Sequence, residues 1–281
     1  MKQRKKTPLQ RVLSDSMIRL FLILLAVAAV FPFLYMAIIS LMEGSISMKI
    51  TADRLANATW SLKNYQNILS TGGFLRYIIN SSVISIYACA ITCLFSAMAA
   101  YAFTKKKFFG RDKIYYVYVM TMMIPSQALL IPTFLIVRDL GLIGSYSSLV
   151  LPMFSAFGVI LVRSFLLKLP NDLLEAADID GCGEIRKFAT IVLPLIKPVL
   201  VSLAIFTFIS IWGNLLWPLV VASGDMTTVT QAVANMKNSL GIPNYGNIMA
   251  ATTLAFLPPF ILYLVLQKQF VDGIALSGIK G

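Results

Sequence analysis

The sequence predicts an all-α membrane protein with six transmembrane helices and both termini in the cytoplasm. Three observations carry that reading. The mean hydropathy is +0.80 and only 13% of residues are charged, against about a quarter in a typical soluble domain. Six long apolar segments run over roughly 17–41, 77–103, 114–136, 146–165, 198–221 and 248–267. Each is close to the ~20 residues that cross a ~30 Å hydrocarbon core. The 24 Lys and Arg residues also divide unevenly between the two sides that these segments define. With a cytoplasmic N-terminus, 18 lie inside, among them Lys105, Lys106, Lys107, Arg111 and Lys113, and 6 lie outside. That bias is the one the positive-inside rule describes. The net charge of +12 is therefore a signature of topology, with the Lys105–Lys107 run as an anchor, and no nucleic-acid partner is expected.

Taken in order, residues 1–16 form a charged cytoplasmic tail. Segment 17–41 follows basic residues, as a secretory signal would. Its apolar run is about twice a typical signal core, however, and no small-x-small cleavage site precedes Glu43. It reads as a retained first span. Residues 17–76 comprise that span and an external segment in which Trp60, Tyr65, Phe74 and Tyr77 suit a membrane interface. The core, 77–268, holds the other five spans, with a large cytoplasmic loop at 166–197 and a polar outer stretch from Ala222 to Asn247. Residues 269–281 form a cytoplasmic tail. Prolines make the spans uneven: Pro125 and Pro132 interrupt the third, Pro152 lies early in the fourth, and Pro258-Pro259 break the sixth. Broken helices persist in lipid only where neighbours, side chains or water satisfy the freed carbonyls. Such breaks suit a transport path or a packing kink equally.

What the chain lacks narrows its chemistry. There is no G-x-x-x-x-G-K-[ST] phosphate loop, so this chain does not itself bind and hydrolyse ATP. It contains no histidine and shows no acidic dyad, so no catalytic residues are assigned. No apolar segment carries an acid away from its ends, which speaks against an ion-coupled secondary carrier. Cys89 and Cys93 fall one turn apart in the second span and Cys182 in the cytoplasmic loop. With neither histidine nor a membrane carboxylate to complete a ligand set, they read as thiols and no metal is expected. An amide facing lipid costs free energy. Asn80 in the second span, Gln127 in the third, and Trp212 and Asn214 in the fifth are thus candidates for a translocation pathway. The alternatives are buried packing and an interfacial tryptophan belt.

The most distinctive run lies in loop 166–197. Pro170 with Asn171 or Asp172 makes a helix start. Leu173, Leu174, Ala177 and Ile179 give a short apolar stripe, and Gly181 suits the left-handed residue that closes a helix. A second short helix, roughly Glu184 to Val192, is expected to end before Pro194. The pattern Glu175-Ala176-Ala177, three residues, Gly181, nine residues, Ile191, one residue, Leu193-Pro194 resembles the "EAA" loop of the membrane subunits of prokaryotic ABC importers. The fuller run from Leu174 to Gly181 resembles the carbohydrate branch, in particular the second, six-span permease of maltose-type systems.

That resemblance implies a type I ABC importer permease fold in the prokaryotic cell membrane. It implies a homologous second permease, two copies of a cytoplasmic ABC ATPase that bind the ATP, and an extracellular solute-binding protein delivering a saccharide. No cofactor belongs to this chain itself. Glu175, Ala176, Ala177, Asp180, Gly181, Leu193 and Pro194 would couple to the ATPase. Asn238, Ser239, Leu240 and Gly241, at the tip of the outer loop, would reach the binding protein, and the tail 269–281 would reach the ATPase interface. A permease of the same family for glycerol 3-phosphate or another small polar solute is the alternative.

Overall fold

The computed structural model describes residues 8–70, 73–154, 156–238 and 243–278, and the side chains of 15–70, 73–154, 156–237 and 243–269. The described residues are helical or irregular, apart from one isolated bridge between Met42 and Trp60. In order, the helices are α1 (Pro8–Leu41), α2 (Ala52–Ala56), α3 (Lys63–Ser70), α4 (Phe74–Lys105), α5 (Arg111–Met120), α6 (Leu130–Asp139), α7 (Tyr146–Val150) and α8 (Ala156–Leu166). They continue with α9 (Asp172–Ile179), α10 (Glu184–Lys187), α11 (Leu193–Leu195), α12 (Lys197–Trp212), α13 (Leu216–Val221), α14 (Val229–Asn238) and α15 (Tyr245–Gly278). Among the described residues, three helices are long and apolar enough to cross a membrane unbroken: Asp15–Leu41, Phe74–Lys105 and Tyr245–Gln269. Two bent pairs meet the same test together: Tyr146–Met153 with Ala156–Leu166 at 54°, and Glu184–Leu195 with Lys197–Trp212 at 76°.

The prolines act in part as expected and in part not. The first helix begins at Pro8, where proline forfeits no hydrogen bond, and its apolar stretch runs over Asp15–Leu41. The third apolar segment is two helices: α5 gives way to a 3₁₀ turn at Thr121–Met123, and Ile124 is extended at φ −84°, ψ 120°. Pro125 follows, and a proline excludes its predecessor from the helical region. The sixth segment, expected to break at Pro258-Pro259, is one continuous helix through Gly278, so the helix also takes in most of the expected tail. Proline at 259 removes the amide that would bond the Ala255 carbonyl four residues back. The Trp212 indole Nε1–H donates to that carbonyl at 3.0 Å, replacing the lost partner.

The chain divides into two compact units, Met1–Gly72 with Met236–Leu254, and Gly73–Asn235 with Ala255–Gly281. In the first, α1 exposes apolar side chains along its length, from Met17 through Leu34, as a lipid-facing span does. Its end is sealed by Asn64 of α3, whose buried amide donates to Ser40 O at 2.9 Å and Met42 O at 3.0 Å. Those are carbonyls that a helix terminus leaves without partners. Tyr65, expected at an interface, bonds Ser40 Oγ through its hydroxyl at 2.7 Å.

In the second unit, α4 is the central post. Its buried residues include Asn80, Ser81, Ile84, Ser85, Ala88, Thr92, Ser96, Ala97, Ala100 and Tyr101, a three-and-four spacing of mostly small side chains that lets α8 and α12 come close. Gly158 of α8 shows how close. A Cβ there would lie 2.3 Å from Ser96 Oγ and 3.2 Å from Leu203 Cδ2 of α12. Val159, Val162, Leu166, Val199 and Leu203 fill this core. A second cluster joins Ile84, Ala88, Val137, Leu149, Val150, Trp217 and Val221. The thiols of Cys89 and Cys93 donate to α12 carbonyls, Ala204 O at 3.2 Å and Leu200 O at 3.5 Å.

Candidate functional site

The loop between α8 and α12 folds as two short helices about a left-handed glycine. Asn171 occupies the N-cap position of α9, but its side chain makes no capping bond. Its Oδ1 instead accepts from Lys105 Nζ at 2.8 Å, so the expected cap is replaced by a tie to α4. At the other end Gly181 sits at φ +71°. Gly181 N donates to Asp178 O at 3.0 Å and Cys182 N to Ala177 O at 2.9 Å. Those two nested bonds are a Schellman closure, which places the residue just after the C-cap, here Gly181, in the left-handed region that only glycine enters freely.

The apolar stripe is narrower than expected. Leu174 and Ala177 are buried, and Leu174 joins the core of Leu166, Val192 and Ile196. Leu173 faces out, and Ile179 is 87% exposed. Ala176, Glu175 and Asp180 are exposed too, and neither acid has a partner among the described residues. The outer face of α9 thus presents Glu175, Ala176 and Ile179, while Ala177 faces the chain's own core. Ile185, on α10, is 85% exposed. The second helix does not end before Pro194. A π turn over Phe188–Val192 leads into α11, Leu193–Leu195. A π turn is the local rearrangement often seen where proline removes a ladder bond. Leu193 is half-buried against the core and Pro194 is exposed.

A network of charge holds this loop in place. Lys187 is 3% exposed at its side chain, between Asp178 Oδ1 at 2.5 Å and Glu184 Oε1 at 2.6 Å. The other oxygen of Glu184 pairs with Lys106 and accepts from Tyr101 OH at 3.1 Å. Lys106 and then Lys187 hold the Glu184 carboxyl down to about 2. Asp178 and then Glu184 push the Lys187 ammonium up. Lys105 Nζ also donates to Leu169 O at 2.7 Å. This network is not legible in the sequence, where Lys105 and Lys106 read as topology anchors. The three-residue spacing of Glu184 and Lys187 was the one signal available; their pairing with α4 is tertiary.

The pathway candidates scatter. Asn80 is 3% exposed, and its amide donates to Asp225 O at 2.7 Å and Thr227 O at 3.1 Å. Its neighbour Ser81 accepts from Val229 N at 2.8 Å. These two residues clamp the start of the outer loop to α4. Trp212 is 6% exposed, stacked on Phe208 at 5.4 Å, so its ring belongs to the core. Gln127 is exposed in the break between α5 and α6. Asn214 sits at the break between α12 and α13, its amide on Met153 Sδ at 3.4 Å and its Oδ1 accepting from Trp217 N at 3.3 Å. With Ser81, Ile84, Leu149, Trp217 and Thr228 it lines a small cavity among the helices. Of the outer-loop tip, the Asn238 side chain, Ser239, Leu240 and Gly241 lie outside the described residues.

An all-helical chain with several membrane-crossing helices, a broken helix pair and a helical loop closed by glycine defines a class of membrane permease. Residues 92–275 match the model of the binding-protein-dependent transport system inner membrane component family, and the chain belongs to that family. It is 31% identical over 266 residues to the arabinooligosaccharides transport system permease protein AraQ of Bacillus subtilis strain 168, covering 93% of this chain and 94% of that protein. It is 36% identical over 200 residues to the sn-glycerol-3-phosphate transport system permease protein UgpE of Yersinia pestis bv. Antiqua strain Antiqua, covering 70% and 71%. A chain from the crystal structure of a bacterial ABC transporter involved in the import of the acidic polysaccharide alginate superposes with a TM-score of 0.81 at 22% identity, covering 95% of this chain and 100% of that one. The likeness shows that this chain has an ABC importer permease fold.

Proposed function

We propose that this permease is one membrane half of an ATP-driven importer for a sugar or oligosaccharide. It crosses the membrane six times, with α5 and α6 as a broken third crossing and both termini in the cytoplasm. The 18-to-6 division of basic residues supports that orientation. A second permease completes the path, and two cytoplasmic ATPase subunits bind and hydrolyse ATP. Closure of the ATPase pair moves α9 as a rigid body and switches the helices between inward-facing and outward-facing states. An external solute-binding protein delivers the sugar; a structurally similar bacterial alginate ABC transporter is in complex with an alginate pentasaccharide-bound periplasmic protein.

The observation that carries the reading is the Schellman-closed α9. It offers a compact face of unpaired Glu175, small Ala176 and exposed Ile179, on the side of the chain that holds the basic excess. Gly181→Val tests it, because a β-branched residue is strained at φ +71°. Uptake and retention of the ATPase subunits are expected to fall together. Normal values of both in that variant would overturn the coupling role of α9.

The relationship to a glycerol 3-phosphate permease favours one second reading, a small phosphorylated solute. Uptake of labelled arabino-oligosaccharide and of labelled glycerol 3-phosphate by the assembled importer separates the two.

A further inference from the structure

We propose that Lys105 and Lys106, at the end of α4, are positioning residues that fasten the coupling loop to α4, so that α4 and the two loop helices move together. The proposal rests on the reading of α9 as the ATPase-coupling helix. In sequence the loop adjoins α8 and α12, and α4 ends more than 60 residues before it, with separations of 64 and 66 for the Lys105 contacts. In space the last turn of α4 grips the loop twice. Lys105 holds the entry strand through Leu169 O and Asn171 Oδ1. Lys106 and Tyr101 hold the second helix through Glu184.

Glu184 is the hub of this brace. One of its oxygens faces α4, and the other faces Lys187, which carries the link on to Asp178 of α9. The chain Lys106–Glu184–Lys187–Asp178 therefore ties α4, α10 and α9 by charge-assisted hydrogen bonds, the stronger and more directional kind. Lys187 is almost wholly enclosed, while Asp178 and Glu184 are more than half exposed, so solvent screens the pairs from the side of the acids. The covalent route to α12 is less direct. It passes the π turn at Phe188–Val192 and a 76° bend. A push on α9 is delivered to α4 through the brace, and α4 packs along both α8 and α12 at the core of the unit.

The test uses the complete importer in proteoliposomes, with its partner permease, ATPase subunits and binding protein. Lys106→Gln, Glu184→Gln, the double variant and Lys106→Arg are compared for solute transported per ATP hydrolysed and for ATPase retained on purification. With Lys106→Gln the ATPase is expected to stay bound while transport per ATP falls roughly fivefold or more, the lower end of couplings between sites. The arginine variant keeps the cation and restores the ratio. The double variant is no worse than the more severe single one, as members of one network behave. An unchanged ratio, or a loss of transport matched by loss of bound ATPase, overturns the proposal. A wild-type chain that retains no ATPase subunit overturns the coupling reading beneath it, and the proposal with it.

Discussion

Replacing Trp212 by phenylalanine should destabilise the helix core by an amount that depends on a residue 47 positions away. The indole Nε1–H bonds Ala255 O at 3.0 Å, and Pro259 denies that carbonyl its ordinary helical donor. Phenylalanine keeps the stacking on Phe208 but removes the hydrogen. A buried acceptor left without a partner costs about 1–3 kcal/mol, and the vacated part of the ring adds about 1 kcal/mol of cavity. The expected loss is therefore about 2–4 kcal/mol. Pro259→Ala restores a backbone N–H four residues after Ala255, which supplies the carbonyl from within the helix. In that background Trp212→Phe should cost only its cavity, about 1 kcal/mol. Reversible unfolding of the four proteins in mixed detergent micelles gives the cycle. An equal cost of Trp212→Phe in both backgrounds would refute the idea that the indole stands in for the amide that proline lacks.

Three other outcomes follow from the geometry. Gly158→Val should separate α8 from α4 and α12, since even a Cβ meets Ser96 Oγ at 2.3 Å; thermal unfolding in detergent should show a loss of about 1–3 kcal/mol. Asn80→Ala strands the carbonyls of Asp225 and Thr227, costing about 1–3 kcal/mol, and hydrogen exchange of residues 225–229 should rise selectively. The Glu184 carboxyl is held below its ordinary value of 4.5, to about 2, by Lys106 and Lys187. Its stabilisation is complete above about 4.5 and is lost as pH falls through about 2. The stability gap between the wild type and Glu184→Gln should therefore be flat from pH 7 to 5 and shrink below. A gap that is constant down to pH 3 would exclude the brace as a source of stability.

Much of this molecule could be read from the order of its residues, because the signals concerned are local. Apolar length marks membrane helices, since every backbone group in lipid must be satisfied within its own segment. Gly181 announced a helix closure, since a left-handed residue is required there whatever surrounds it. The spacing from Glu175 to Pro194 marked the helical loop between α8 and α12 for the same reason, since it lies within twenty consecutive residues.

The tertiary structure decided which polar and proline residues do what. Asn80 and Trp212 looked like pathway residues because an amide or an indole inside a span needs a partner, and sequence does not say whether that partner is solute or protein. Here it is protein: the carbonyls of Asp225 and Thr227 for Asn80, and that of Ala255 for Trp212. Pro125 breaks a helix while Pro258 and Pro259 do not. At Pro259 the freed carbonyl of Ala255 is reached by the indole of Trp212, a neighbour that lies far away in the chain. Lys105 and Lys106 likewise read as mere charge until α4 and the coupling loop are brought together. A hydrogen bond needs its two groups within about 3 Å, and for residues 43 to 147 positions apart only the folded chain sets that distance.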